Sequence, residues 1–469
     1  MVPPIAAAWV PVRKSSLTRT EPTGRCICVC ASTPPGITRQ PDTSTTSSPT
    51  EAGRSPVASI EPPRIRTSAC RVPSVSTAAV SNIGNWMQTI TIPFVIYKLT
   101  NSRQWLGSTA LATFIPSIVG TLISTGFVDR FERRRLLFVL QIAQMVMAVA
   151  MFATWMVGFH EPVAFLVLAA IGGLVGGVTT PAWNSYVPLL VPRDLIPSAI
   201  RLNSMQFAVG RSIGPLIAAA VLKPWGPGAT FGVNALSFVF VIVVLATLPA
   251  SRPTATTIQP PLRQAIEGWQ HVSARRNLLV APVTVFVCGF FGSCIVQLAA
   301  AIVDEQFNRD RNQIGIVVSA FGAGSIVGSV LVTVVGNRWS RSRSVYLGML
   351  AWVAGLALLS STQTLKIGII ALVVMGFAHV VTATSVNTAL QVQVDENFRG
   401  RAIAAYLQGF FLGVALGAFV LARLAGAIDL RGVFLLGSIA MATYCVIAFM
   451  VFDRMRVLDG ERAAGDHTR

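Results

Sequence analysis

The sequence predicts an all-α membrane protein in which twelve transmembrane helices form two six-helix bundles. Three observations predict this fold class. Only 12% of the 469 residues are charged and 53% are hydrophobic, whereas soluble proteins carry about 25% charged residues. Long uncharged runs recur along the chain, and the second six runs repeat features of the first six at a fixed offset. A soluble enzyme is therefore not expected.

Each predicted helix corresponds to a run of about 20 or more residues with few or no charges, the length that crosses roughly 30 Å of hydrocarbon. Membrane β-barrels would instead show alternating segments of about ten residues. Only one run contains a charge, Arg211. In chain order the runs are 72–97, 104–128, 136–159, 162–192, 202–222, 224–251, 277–303, 312–337, 344–365, 367–394, 402–422 and 432–452.

The first 71 residues differ in kind from the rest of the chain. They are rich in Pro, Ser, Thr and Arg and have no apolar period, which predicts a disordered tail. An over-extended gene start and an organelle transit peptide are the alternatives. Cys26, Cys28 and Cys30 have no second Cys or His pair at ligand spacing, so we expect no metal site and no cofactor.

The charges predict how the chain is threaded through the membrane. Arginine is concentrated after the second, fourth, sixth, eighth and tenth runs and in the C-terminal tail, which predicts both termini in the cytoplasm. The same distribution disfavours nucleic acid as a partner, because the basic residues lie in short loops. The predicted parts are bundle 72–251, cytoplasmic linker 252–276, bundle 277–453 and cytoplasmic tail 454–469.

The two halves of the sequence align when the first is shifted by 203 residues. Gly210 then falls on Gly413, Gly214 on Gly417, and Asn184 on Asn387. Glycines four residues apart form one flat stripe on a helix and allow a neighbouring backbone to approach closely. Six helices repeated in parallel are typical of one large class of transporters.

The connection after the second run carries a recognisable motif, Gly126-x-x-Asp129-Arg130-x-x-Arg133-Arg134. An aspartate at a helix end can face the amide groups of a helix N-terminus, and the arginines offer rigid donors to carboxylates or lipid phosphates. The motif resembles the loop pattern of the major facilitator superfamily. The resemblance implies a cytoplasmic latch between the two bundles, with the start of the eleventh helix as its partner.

The fifth run contains Gly210-Arg211-x-x-Gly214-Pro215, which resembles the core of the antiporter motif of exporters in that superfamily. Together with the loop motif, the sequence is similar to the enterobactin-exporter-like branch, the transmembrane secretion effectors. The resemblance implies export of a small molecule by alternating access, powered by an ion gradient.

Polar residues inside the predicted helices are the candidates for contact with cargo. A central arginine costs about 2.5–3.5 kcal/mol to insert, so Arg211 should face the protein interior. It either binds anionic cargo, acts in a conformational switch, or is solvated by the protein alone. Amides three residues apart share one helix face, so we expect two such pairs to line the cavity, with an asparagine of the second half as a further candidate. These amides are Asn85, Gln88, Asn203, Gln206 and Asn387.

Three residues are candidates for proton coupling. His379 is a group within a run that titrates near physiological pH, although packing is its commoner role. Asp304 and Glu305 are adjacent acids at a membrane boundary and could form a proton-sensitive gate. A solvated loop end is the default interpretation for both acids.

The sequence therefore predicts a monomeric exporter of a small amphipathic or anionic molecule, such as a siderophore or a drug. It would lie in a bacterial cytoplasmic membrane and couple transport to a proton or another ion. The alternatives are an importer or lipid translocator of the same fold, and a membrane scaffold or sensor that transports nothing. The chain has no G-x-x-x-x-G-K-[ST] loop, so neither an enzyme nor ATP-driven transport is expected.

Overall fold

The computed structural model describes residues 72–128, 131–192, 195–248, 261–310, 313–335, 339–394 and 398–451. All of them fall within one compact unit, Ile65–Arg469. The predictions for the tail 1–71, the first part of the linker and the tail 454–469 concern residues outside these ranges. The same holds for Asp129 and Arg130 of the loop motif.

The described residues form helices joined by short connections, and they contain no β-strand. The all-α fold is therefore confirmed. The helices are α1 Val72–Thr100, α2 Arg103–Phe127, α3 Arg133–Met156, α4 Pro162–Tyr186, α5 Ile196–Thr247, α6 Pro261–Ala274, α7 Arg276–Phe291, α8 Ala299–Ala301, α9 Ile314–Val335, α10 Arg341–Ser361, α11 Leu365–Gln393 and α12 Arg399–Val451.

Two of these helices are too long to be single spans, and each contains one residue that is not helical. Gly226 has φ 74° in α5, and Asp429 has φ 62° in α12. These residues divide the helices into α5a (196–225), α5b (227–247), α12a (399–428) and α12b (430–451). Both bends coincide with predicted connections, since Lys223 and Arg431 lie beside them.

Within the described ranges, nine segments are long and apolar enough to cross a membrane. Two of the nine, Val209–Thr247 and Arg401–Met450, contain the bends and so comprise two helices each. The nine segments therefore comprise eleven helices within the described ranges. Helix α1, which carries several amides, is also of spanning length, so the structure is consistent with the predicted twelve helices. The outward surface is rich in apolar side chains such as Val139, Met156 and Ile439, as expected where a protein faces lipid.

The seventh predicted helix is irregular. After α7 ends at Phe291, the chain forms a 3₁₀ turn at Ser293–Leu298, the short α8, and a π-helical turn at Ile302–Gln306. The equivalent helix of the first half, α1, is continuous over 29 residues. The sequence predicts one uniform helix over 277–303, so the breaks are a structural finding. Both 3₁₀ stretches inside helices and π turns are frequent at functional sites.

Helix packing repeats between the N-terminal half (72–248) and the C-terminal half (276–451). In the first half α1 contacts α5, α2 contacts α4, and α3 contacts both α4 and α5. In the second half α7 contacts α12, α9 contacts α11, and α10 contacts both α11 and α12. These are equivalent pairs when each half is counted from its first helix, so the structure repeats as the 203-residue offset predicts.

The two halves meet at one end of the helices, which we call the Tyr97 end. There α2 packs on α12a, because Gly107 lies against the backbone of Phe419, and α9 packs on α5a through Gly315 and Ala219. The opposite end, called the Arg133 end, carries the start of α3 and of α12a. By the distribution of arginine, the Arg133 end is the predicted cytoplasmic end.

The linker between the halves contributes a helix at the Arg133 end. Its second part forms α6, Pro261–Ala274, which is strongly amphipathic and contacts both α2 and α12. Val272 is buried in the core, whereas Ile266 and Trp269 are exposed. The linker is thus a packed element as well as a connection.

Candidate functional site

The centre of the candidate site is Arg211, which is held by close contact between α5a and α1. A Cβ atom added at Gly210 would lie 2.6 Å from Asn82 Nδ2, and one at Gly214 would lie 2.5 Å from the Cβ of Trp86. The two glycines therefore allow the helices to touch, as their spacing predicts. Pro215 is buried beside them. This packing fixes the face of α5a on which Arg211 lies.

The Arg211 guanidinium lies near enough to the opposite half of the protein for its charge to act on groups there. It interacts electrostatically with Tyr406 of α12a and with His379 of α11. Arg211 is half-buried. The structure therefore brings together two residues that the sequence analysis assigned to separate roles, Arg211 for cargo and His379 for proton coupling.

His379 lies in an aromatic environment in the C-terminal half. Its ring centroid is 5.7 Å from those of Phe321 and Phe410 and 6.4 Å from that of Trp352. Ser293 Oγ is 2.9 Å from His379 Nδ1, a contact made possible by the 3₁₀ turn after Gly292. The imidazole is therefore fixed by one hydrogen bond and three rings.

Sequence reasoning missed two residues of this centre. Tyr406 is buried and its hydroxyl donates a hydrogen bond to the Ala383 carbonyl, 2.9 Å away. Ser293 is buried on the 3₁₀ turn. The only available signal was a hydroxyl within an apolar run, which is too common in membrane helices to single out a residue.

The first amide pair points into the N-terminal half. Asn85 Nδ2 donates to Gln144 Oε1 of α3 at 3.1 Å, and Gln144 Nε2 donates to Thr179 of α4 at 2.7 Å. Gln88 accepts a hydrogen bond from Asn234 of α5b. Asn85 and Gln88 are thus parts of an uncharged hydrogen-bond network that joins α1, α3, α4 and α5b.

The second amide pair joins α5a to α4. Asn203 Oδ1 accepts hydrogen bonds from Trp183 Nε1 at 2.9 Å and from Gln206 Nε2 at 2.6 Å. Asn203 Nδ2 donates to Asn184 Oδ1 at 2.8 Å. The Gln206 Oε1 atom is buried without a hydrogen-bond partner. Among the described residues it is therefore a buried acceptor without a donor.

The candidate of the second half, Asn387, is half-buried on α11. Its Oδ1 accepts a hydrogen bond from Gln391 Nε2 one helical turn later, at 2.9 Å. The equivalent residue of the first half, Asn184, is exposed and bonds to Asn203 instead. The repeat therefore preserves the asparagine but not its partner.

The acidic candidates contact the other half at the Tyr97 end. The buried Tyr97 hydroxyl lies 3.0 Å from Asp304 Oδ2 and 2.9 Å from Glu305 Oε1. Arg103 Nη1 lies 3.1 Å from Glu305 Oε2 and donates to the Ala425 carbonyl at 2.8 Å. The π turn that carries both acids thus joins α1, α2 and α12a, so the two acids form a cross-half contact and are more than a solvated loop end.

The described part of the loop motif lies at the Arg133 end. The backbone of Gly126 belongs to α2, and Arg133 begins α3. Arg134 Nη2 donates to the Ala246 carbonyl of α5b at 3.2 Å, a contact within the N-terminal half. The predicted contact of this motif with the start of the eleventh helix remains a prediction.

No group of three or more His, Cys, Asp or Glu side chains that could hold a metal ion occurs in the part of the chain that the structure describes. The centre itself offers a guanidinium, an imidazole, hydroxyls and aromatic rings. A guanidinium recognises carboxylates and phosphates through paired hydrogen bonds.

Comparison with known sequences identifies relatives along most of the chain. Residues 65–467 match the family described as transmembrane secretion effector. The chain is 22% identical over 396 residues to the multidrug efflux pump Tap of Mycolicibacterium fortuitum, covering 81% of this chain and 95% of that protein. It is 21% identical over 340 residues to the enterobactin exporter EntS of Escherichia coli O1:K1, covering 71% and 80%.

Solved structures share the fold at low sequence identity. The nucleoside transporter NupG superposes with a TM-score of 0.64 at 12% identity, covering 82% of this chain and 99% of that one. The D-xylose–proton symporter superposes with a TM-score of 0.64 at 15% identity, covering 79% and 97%. The protein is a multi-pass membrane protein with the fold of these transporters, and it belongs to the transmembrane secretion effector family of the major facilitator superfamily.

Proposed function

We propose that the protein is a secondary active exporter of a small amphipathic or anionic molecule, such as a siderophore or a drug. The observation that carries this proposal is the position of Arg211, which is half-buried within the first half and whose charge acts on His379 and Tyr406 of the second. The named relatives, a multidrug efflux pump and an enterobactin exporter, support the direction. An enzyme or ATP-driven activity is not part of the proposal.

The centre suits a cargo with both charge and apolar surface. Arg211 supplies a cation that can pair with a carboxylate, a phosphate or another anionic group. The aromatic rings around His379, together with Phe114 stacked on Phe411 across the halves at 5.4 Å between centroids, supply apolar surface. Small-molecule sites typically combine apolar walls with a few such polar groups.

The five candidate amides differ in how available they are for contact with a cargo. Asn85, Gln88 and Asn203 form their hydrogen bonds within the N-terminal half, so a cargo would have to compete with those partners. Gln206 has a free acceptor, and Asn387 is bonded only to a neighbour on its own helix. Gln206 and Asn387 are therefore the amides we favour for cargo contact.

Transport would proceed by alternating access, powered by a proton or another ion. We place the protein as a monomer in a bacterial cytoplasmic membrane, with both termini and the Arg133 end in the cytoplasm. The contacts at the Tyr97 end then seal the outer side, so the structure corresponds to the form that loads cargo from the cytoplasm. His379, on which the charge of Arg211 acts, is the proton-coupling residue we favour, with Asp304 and Glu305 as the other candidates.

Transport into inside-out membrane vesicles tests the proposal. An exporter accumulates cargo there when an ion gradient is applied. Replacing Arg211 with Gln should lower transport of anionic cargo about 10- to 100-fold, because a hydrogen bond to a charged group contributes about 1.5–3 kcal/mol, and should affect neutral cargo less. Arg423→Gln is the matched control, since Arg423 is exposed on α12a and lies over Phe419.

Two results would favour the alternative functions. Accumulation only in right-side-out vesicles would indicate an importer. A purified protein that moves neither small molecules nor lipids, yet retains a soluble partner, would indicate a scaffold or sensor. Equal loss of anionic and neutral transport in Arg211→Gln would assign Arg211 to a conformational switch.

A further inference from the structure

The linker helix α6 contacts the start of α12a through two polar pairs. Trp269 Nε1 donates to Gln408 Oε1 at 2.8 Å, and Gln408 is buried. Glu267 Oε2 lies 3.4 Å from Arg401 Nη1. Both pairs join the linker to α12a, the fifth helix of the C-terminal half, at the Arg133 end.

The same helix also contacts α2 of the N-terminal half. Helices α2 and α12a touch each other directly at the Tyr97 end, where Gly107 lies against Phe419. At the Arg133 end, α6 packs against both of them. Its residue Val272 is 1% exposed, so this contact is part of the protein core.

The position of α6 conflicts with closure of the Arg133 end. Alternating access, on which this inference rests, requires the Arg133 ends of α2 and α12a to approach each other when the Tyr97 end opens. A helix docked on both of them at their present separation would have to change its contacts when they approach. The start of α12a is also the predicted partner of the loop motif, and its residue Arg401 is engaged here by Glu267.

We propose that the linker helix α6 is a conformational wedge that holds the Arg133 end open and must leave its contact with α12a before that end can close. A contact present in only one of two states shifts the equilibrium by its own free energy. The linker therefore biases the protein towards the form that is closed at the Tyr97 end.

Distances between pairs of nitroxide labels test the wedge in the full-length protein in lipid nanodiscs. The seven native cysteines are first replaced. One label pair at exposed Gln104 and Arg309 reports on the Tyr97 end, and another at exposed Val139 and Arg343 reports on the Arg133 end. This measurement needs no cargo, so a failure of the wedge is distinguishable from a failure of the proposed transport function.

Weakening the docking of α6 should open the Tyr97 end. Trp269→Phe keeps the ring but removes the N–H donor, and Gln408→Leu removes the acceptor. Each variant should raise the population of the form that is open at the Tyr97 end and closed at the Arg133 end about 2- to 10-fold, the range expected for one hydrogen bond. In that form the Gln104–Arg309 distance is longer and the Val139–Arg343 distance is shorter. The double variant should match the single variants, because both remove the same contact.

Arg263→Gln is the matched control. Arg263 is exposed and pairs with Glu267 along α6 at 3.0 Å, so its replacement perturbs the same helix but leaves the contact with α12a. Distances in Trp269→Phe and Gln408→Leu that equal those of this control would overturn the wedge. Additive effects in the double variant, or a shift towards closure of the Tyr97 end, would overturn it as well.

Discussion

Glycines set how closely the fifth helix of each half approaches the first. On α12a, Gly413 lies against the Phe286 carbonyl and Gly417 against the Phe290 carbonyl of α7. On α5a, Gly210 and Gly214 make the equivalent contact with α1. A membrane offers little hydrophobic drive for helices to associate, so close backbone packing of this kind supplies much of the attraction.

Adding a single methyl group to this contact should destabilise the protein. Gly413→Ala would force the Ala Cβ into the Phe286 carbonyl, and overpacking of a core typically costs about 1–3 kcal/mol. Thermal unfolding in detergent should therefore begin several degrees lower. Gly426→Ala on the same helix is the control, because nothing lies within 4 Å of its added Cβ. Equal melting of both variants would contradict the close contact.

The spacing of these glycines could be read from the sequence because a helix places residues four apart on one face. Arg211 could also be placed in the protein interior, because a charge facing lipid is costly. Its neighbours could not be identified. His379 and Tyr406 are 168 and 195 residues further along the chain, and only the packing of two halves brings them to it.

At the scale of single elements, the irregular segment after α7 is the main departure from the predicted helices. Its 3₁₀ turn places Ser293 against His379, and its π turn places Asp304 and Glu305 against Tyr97. One broken helix therefore connects the centre of the candidate site to the contact that closes the Tyr97 end. Apolar content alone cannot distinguish an α-helix from these turns, which differ only in hydrogen-bond register.

Tyr97→Phe should loosen the closed end. The variant removes a hydroxyl that bonds to both acids, which should cost about 1–2 kcal/mol and raise the open population about 5- to 30-fold. Labelling of a cysteine at buried Ala418 by a membrane-impermeant maleimide measures this population. Tyr444→Phe is the control, since its hydroxyl bonds to Thr284 within one half. Unchanged labelling relative to this control would show that Tyr97 does not hold the end closed.

At the scale of the whole molecule, the two halves meet at the Tyr97 end, while α6 bridges them at the Arg133 end. The direct contact combines polar groups, glycines and the stack of Phe114 on Phe411. Interfaces of this kind have two discrete arrangements, which is how small local changes become large movements. In the proposed transport cycle, the two halves would move relative to each other around the candidate centre at Arg211.

The loop motif yields a prediction about the form closed at the Arg133 end. Asp129→Asn should impair transport several-fold while leaving the protein inserted in the membrane, because an uncharged amide interacts more weakly with a helix N-terminus. Transport in vesicles, normalised to the amount of inserted protein, measures the effect. The control is Arg135→Gln, because Arg135 is highly exposed and its ion pair with Glu132 should matter little. Full transport activity of Asp129→Asn would contradict the predicted latch between the two bundles.

The sequence by itself determined the fold class, the number of long apolar segments, the repeat and the family. Each of these depends on local composition or on spacing along one helix, which are set by the bilayer thickness and the helical period. Tertiary structure alone decided the electrostatic interaction of Arg211 with His379 and Tyr406, the break in the seventh helix and the docking of α6. These features depend on contacts between distant segments, and no local pattern encodes them because many side chains could satisfy the same apolar surroundings.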